Sequence, residues 1–202
     1  MQVARVSKPS TVRAALAALS LGLGLFGVPR AAGAAVFEVI NTNPFGSGSL
    51  DSAIDDANLN PGADTITFNI PGTGLQTINL TSDLPDITQP LTINGYSQPG
   101  ASANTQANGT DAVLLIEING AGAGAVAKGL QIMAPNCVIK GLVINRFAVD
   151  GIRISGAGAT GNKIQGCYIG INAAGTAARS NGDDGIQLDS GCLLYTSPSP
   201  RD

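Results

Sequence analysis

Two tripeptides carry the chain's clearest potential for chemistry. Asp150-Gly151-Ile152 and Asp184-Gly185-Ile186 each open an apolar segment, and Asp183 adjoins the second. If those segments lie side by side, Asp150 faces Asp184. Facing carboxylates raise one pKa, attract a cation such as calcium, or work as an acid/base pair. An Asp before a Gly also has a purely conformational use. Its carboxylate accepts hydrogen bonds from nearby backbone amides, and the Gly takes the left-handed position of a turn. Turn chemistry is the favoured reading. Its rivals are calcium held by Asp150 and Asp184, and catalysis by Asp150, Asp183 and Asp184. No other cofactor is expected.

The remaining polar and aromatic residues are weaker candidates. Lys140, Arg146, Arg153 and Lys163 lie between the acidic positions and are expected to face outward. One of them could be the base of a polysaccharide lyase, with calcium acidifying the proton removed. A solvated face with ion pairs worth under about 1 kcal/mol each is the simpler account. Tyr96, Phe147 and Tyr168 are available to stack on sugar rings, a thin platform in a chain with no Trp. The absence of His removes Ser–His–Asp and Cys–His catalysis and the usual zinc sites. Gly120–Gly124 lacks the Lys-Ser/Thr of a phosphate loop. Cys137 and Cys167 fall at different places relative to Ile139 and Ile164, which favours two small buried residues over a disulfide.

Both ends stand apart from the rest. Residues 1–34 combine Arg5, Lys8 and Arg13 with the apolar run Ala14–Val28 and the small-residue site Ala32-Gly33-Ala34. That is the pattern of a secretory signal peptide, with an apolar run too short to span a membrane. Residues 192–202, CLLYTSPSPRD, break the pattern that precedes them and resemble a translated sequencing adapter, so a truncated, N-terminal fragment is expected. Residues 35–191 hold six basic residues against thirteen acidic ones (all but Asp202), a formal net of −7. Such a surface argues against nucleic acid as a partner.

The elements that must position these residues show a period. LTING (Leu91–Gly95), IEING (Ile116–Gly120), LVINR (Leu142–Arg146) and YIGIN (Tyr168–Asn172) align on Ile93, Ile118, Ile144 and Ile169, in steps of 25, 26 and 25. Short apolar segments recurring at such a step predict stacked coils. Each coil has three short strands, because GLQI, NCVIKG, DGIRI, NKIQG and DGIQL fall between them. The expected fold is all-β: a right-handed parallel β-helix with coils of about 25 residues. Asn94, Asn119 and Asn145 follow the aligned isoleucines and predict an asparagine ladder. Upstream, VFEVIN reads as a strand, and Leu50, Ala53, Ile54 and Ala57 share one helix face after the N-cap Ser49. This strand-helix unit predicts a cap on the first coil. The domains are then 35–90, cap and first strands, and 91–191, truncated repeats.

The stretch GSLDSAIDDANLNPGADTITFNIPG followed by LPDITQPLTINGYSQPG resembles the opening module of secreted bacterial right-handed parallel β-helix repeat proteins. Its helix is similar to their CSLREA-type motif, with Gly48, Asp51 and Ser52 in place of the Cys, Arg and Glu. YIGINAAGTAARSNGDDGIQL is similar to the repeat unit of the same proteins. The resemblance implies an exported, extracellular or cell-surface protein. The expected function is a non-catalytic scaffold or adhesin-like protein whose long face contacts polysaccharides or cell-surface glycans. SNGDDGIQLDSG also resembles the Asp-Asp segment of polygalacturonase-like glycosidases, which implies the alternative of a polysaccharide-degrading hydrolase or lyase.

Overall fold

A computed structural model describes residues 33–189 and the backbone of Leu193–Leu194. The signal-peptide reading of residues 1–34 and the adapter reading of residues 192–202 lie almost wholly outside the described residues.

The chain is built mostly of short strands in parallel sheets, with little helix. β1 (Val36–Val39) precedes α1 (Leu50–Leu59), followed by β2 (Asp64–Phe68), β3 (Gln76–Asn79), β4 (Leu91–Asn94) and β5 (Ile116–Asn119). Then come β6 (Leu130–Ile132), β7 (Val138–Lys140), β8 (Leu142–Asn145), β9 (Ile152–Ile154) and β10 (Thr160–Gln165). β11 (Tyr168–Ile169), β12 (Ile186–Leu188) and β13 (Leu193–Leu194) complete the set. Three sheets result, in the orders β1-β2-β4-β7-β10-β13, β3-β5-β8-β11 and β6-β9-β12. From β4 to β12 the chain visits the first, second and third sheets in turn, three times over. In the preceding round Ile87 stands for the third strand through a single parallel bridge to Ile132.

Alternation within each strand decides what is buried. Ile66, Ile93, Ile139 and Ile164 pair in register across the first sheet. Ile78, Ile118, Ile144 and Ile169 do so across the second. Leu130, Ile152 and Ile186 do so across the third. These rows form one apolar core, closed to solvent except at Ile164, Ile169 and Ile186, which are partly buried. Burying each such side chain contributes roughly 1.5–3 kcal/mol, so the rows are the main source of stability.

The rows correct the sequence alignment at one place. Ile93 belongs with Ile66 and Ile139 in the first sheet, whereas Ile118, Ile144 and Ile169 share the second. LTING and IEING look alike because each is one short strand ending in Asn. No strand lies between β4 and β5, so they take consecutive positions in a round. The intervening residues are spent on an excursion closed by an antiparallel bridge between Ser102 and Val113. The ladder shifts accordingly. Asn79, Asn119 and Asn145 are in register, and Asn119 Nδ2 donates to Asn79 Oδ1 at 2.8 Å. Asn145 Nδ2 turns instead to Glu117 Oε1, at 2.8 Å, and Asn94 takes no part.

α1 forms as its pattern predicts. The Ser52 N–H donates to Ser49 Oγ at 3.2 Å, and Leu50, Ala53, Ile54 and Ala57 are buried. The helix packs on β1 and β2, covering the start of the first sheet. Among the described residues no helix is long and apolar enough to cross a membrane.

Candidate functional site

Asp150 and Asp184 meet because β9 and β12 pair in register, Ile152 against Ile186, and each Asp sits two residues earlier. The backbones around them are tied: Gly151 N–H donates to Asp184 O at 2.9 Å and Ile152 N–H to Gly185 O at 3.0 Å. One carboxylate oxygen from each of Asp150, Asp183 and Asp184 lies within 4.8 Å of the others.

The three are not equivalent. Asp183 and Asp184 are exposed, whereas Asp150 is fully buried. Asp150 Oδ1 accepts the Asp184 N–H at 3.2 Å. Asp150 Oδ2 has no hydrogen-bond partner and lies 3.7 Å from Arg153 Nη1. Arg153 also donates through Nε and Nη2 to the Asp189 carboxylate, at 3.1 and 3.2 Å. Asp150 is thus a tie between adjacent strands with its counter-charge beside it. The spacing of the three oxygens is compatible with calcium, whose ligands lie about 2.3–2.6 Å from the ion, but calcium takes six to eight oxygens. Here three carboxylates converge, and a guanidinium stands beside the buried one.

The glycines of the two tripeptides do not have the expected use. Neither Gly151 nor Gly185 adopts a left-handed φ. A Cβ on Gly151 would lie 2.5 Å from Asn181 Nδ2 and 2.8 Å from Gly185 O. Glycine is needed there for the close approach of neighbouring turns.

The other candidates are dispersed. Arg153 alone of the four basic residues reaches the aspartates, and its ion pairs occupy it. Lys140 and Lys163 stand on the first sheet, and Arg146 occupies a left-handed turn at φ 62° after β8. Among the described residues, Arg153 is the basic side chain within ion-pair distance of the acidic cluster. Phe147 is 2 % exposed and belongs to the core, which removes it as a sugar platform. Cys137 and Cys167 are unbonded, and burial pushes both thiols up to about 11.

A feature that the sequence reading missed lies on the first sheet's outer face. Asn94, Lys140 and Gln165 are in register on β4, β7 and β10, each directly after an inward-facing isoleucine. Tyr96 lies beside them, across Gly141 and Gly166: a Cβ on Gly141 would sit 2.7 Å from its ring, and its hydroxyl donates to Gly166 O at 2.9 Å. Burial raises the Tyr96 pKa, with Cys167 and Tyr168 adding to the effect, so the hydroxyl remains a donor at neutral pH. Tyr96, Ala103, Asn104, Lys140, Gln165 and Gly166 line a cleft of ≈ 460 Å³. Its far wall is the excursion between β4 and β5. Asn104 Nδ2 donates there to Gln106 O and Gly109 O, and Asn104 Oδ1 accepts the Asp111 N–H at 3.0 Å. Hydrogen bonds from the Thr105 hydroxyl and amide hold the Asp111 carboxyl below its usual pKa. The step from Lys140 to Gln165 equals that from Ile139 to Ile164 and would have aligned the pair. Nothing in the sequence signalled that Tyr96 would cross over Gly141 and Gly166, the glycines that follow them.

The sequence matches no family model, and no curated protein matches it at a significant level.

Proposed function

We propose that this chain is an exported, non-catalytic scaffold built as a right-handed parallel β-helix, related to the secreted bacterial β-helix repeat proteins, whose long outer face contacts glycans. The observation that carries the reading is the order of the strands. Repeated visits to the same three parallel sheets, in the same sequence and register, are how a coil stacks on a coil. Right-handed winding follows from the general handedness of parallel crossovers. Residues 1–34 direct export, and α1 with β1 caps the first coil.

The buried state of Asp150 supports the non-catalytic part. A general acid or base must reach substrate, and the carboxylate that completes the cluster is closed off and bonded to backbone. The test incubates the full chain with acidic and neutral polysaccharides. Released reducing ends, unsaturated products and mobility in polysaccharide-containing native gels are measured. Retardation by at least one polysaccharide without product is expected. Product formation abolished by the double substitution Asp183→Asn, Asp184→Asn would replace this reading with a hydrolase.

A further inference from the structure

We propose that the Tyr96 cleft is a saccharide site selective for a sugar ring bearing a carboxylate, such as the uronate unit of an acidic polysaccharide. The inference rests on the glycan-contacting reading above and names the place and the ligand class.

Three groups of complementary chemistry converge there. Lys140 and Gln165 are in register on adjacent strands, about 4.8 Å apart along the sheet, and both line the cleft. Among the described residues the ion pairs involve Arg153, so the Lys140 ammonium has no carboxylate partner. Lys128, Arg146, Lys163 and Arg179 are likewise outside those ion pairs, and Lys140 is the one of these cations that lines the cleft. The Gln165 amide supplies donors and an acceptor for ring hydroxyls. Tyr96 supplies an apolar wall with a polar edge, the form that suits a sugar ring.

The site is also built before a ligand arrives. Tyr96 is held by Gly141 beneath its ring and by its bond to Gly166 O. The opposite wall is stapled by Asn104 and Asp111. Fixed walls reduce the ordering cost of binding. The volume of ≈ 460 Å³ falls among small-ligand sites, roughly 300–1,000 Å³. A phosphate-selective site would call for an Arg fork or converging backbone amides; one ammonium beside an amide and an aromatic wall suits a carboxylate on a polyhydroxylated ring.

The experiment uses the full chain and titrates it with an oligogalacturonate and with its methyl ester, which keeps the ring and removes the charge. Binding is read by calorimetry, with inorganic phosphate as competitor. The acid form is expected to bind and the ester to bind about tenfold more weakly or not at all. Lys140→Met keeps the aliphatic stem and is expected to lose about tenfold for the acid while leaving the ester unchanged. Gln165→Ala is expected to weaken both. Circular dichroism of each variant verifies folding, and both positions are on the outer face. Equal binding of acid and ester, an unchanged Lys140→Met, or full displacement by equimolar phosphate overturns the proposal. Retention on neutral polysaccharides that ignores both variants would overturn this site and leave the glycan-contacting reading standing. No retention by any polysaccharide would overturn both.

Discussion

Removing the Asp150 carboxylate separates a strand tie from a cation site or a catalytic group. Asp150→Ala deletes the acceptor for the Asp184 N–H at 3.2 Å and the charge 3.7 Å from Arg153 Nη1. A hydrogen bond to a buried charged group is worth about 1.5–3 kcal/mol. The ion-pair loss adds little, because the Arg153 side chain is 31 % exposed and keeps Asp189. A loss of about 2–3 kcal/mol is therefore expected. Asp150→Asn keeps an acceptor oxygen and should cost about 1 kcal/mol. Asp183→Asn and Asp184→Asn, on exposed side chains, should each fall within about 0.5 kcal/mol of the parent. The assay is urea unfolding followed by far-UV circular dichroism at neutral pH, with and without calcium. Asp150→Ala should lower the midpoint by about 1 M at the slopes usual for small proteins. Calcium should leave the parent's midpoint unchanged. Two results would refute the reasoning. One is an Asp150→Ala variant as stable as the parent, which would mean that the tie carries no load. The other is an equal cost at all three aspartates in the presence of calcium only, which would mean that they hold an ion together.

Three further outcomes follow from the packing. Ile139→Ala, inside the first-sheet row, should cost about 2–5 kcal/mol in the same urea assay, as large-to-small core changes do. In double-mutant cycles to Ala, Asn79 and Asn119 should couple by about 0.5–1 kcal/mol through their 2.8 Å bond, whereas Asn94 and Asn119 should be additive. The two thiols rise from 9.0 to about 11 on folding, so above pH 9 the unfolded chain loses those protons first. Stability from this source should be intact below pH 9 and decline toward pH 11. Unfolding melts across that window, repeated with Cys137→Ala and Cys167→Ala, check it; a parent that declines no more steeply than the double variant sinks the attribution.

Parallel pairing was legible because it depends on what a one-dimensional pattern contains. Ile139 and Ile164 stand 25 apart and do pair, as do Ile144 and Ile169. The helix face of Leu50, Ala53, Ile54 and Ala57 was equally plain, since burial follows the 3.6-residue period. Ile93 was misplaced because spacing alone does not count the strands passed on the way. An excursion such as the one between Ser102 and Val113 lengthens a round without adding a strand. The Asp150–Asp184 proximity could be read from the repeated Asp-Gly-Ile, yet their inequality could not. Asp150 is closed off by the strand layer that places Asp184 above it, and only the three-dimensional stack says which of two identical tripeptides lies beneath the other. The Tyr96 cleft stayed hidden for a related reason. Its ring reaches over Gly141 and Gly166, in the bends that follow β7 and β10, and the absence of a side chain at both positions is what admits it. Two glycines that looked like ordinary turn residues are therefore part of the proposed site. Gly166→Ala would meet the Tyr96 hydroxyl and push the ring off its seat, so it should weaken both the acid and the ester ligands while sparing the Lys140-dependent preference between them.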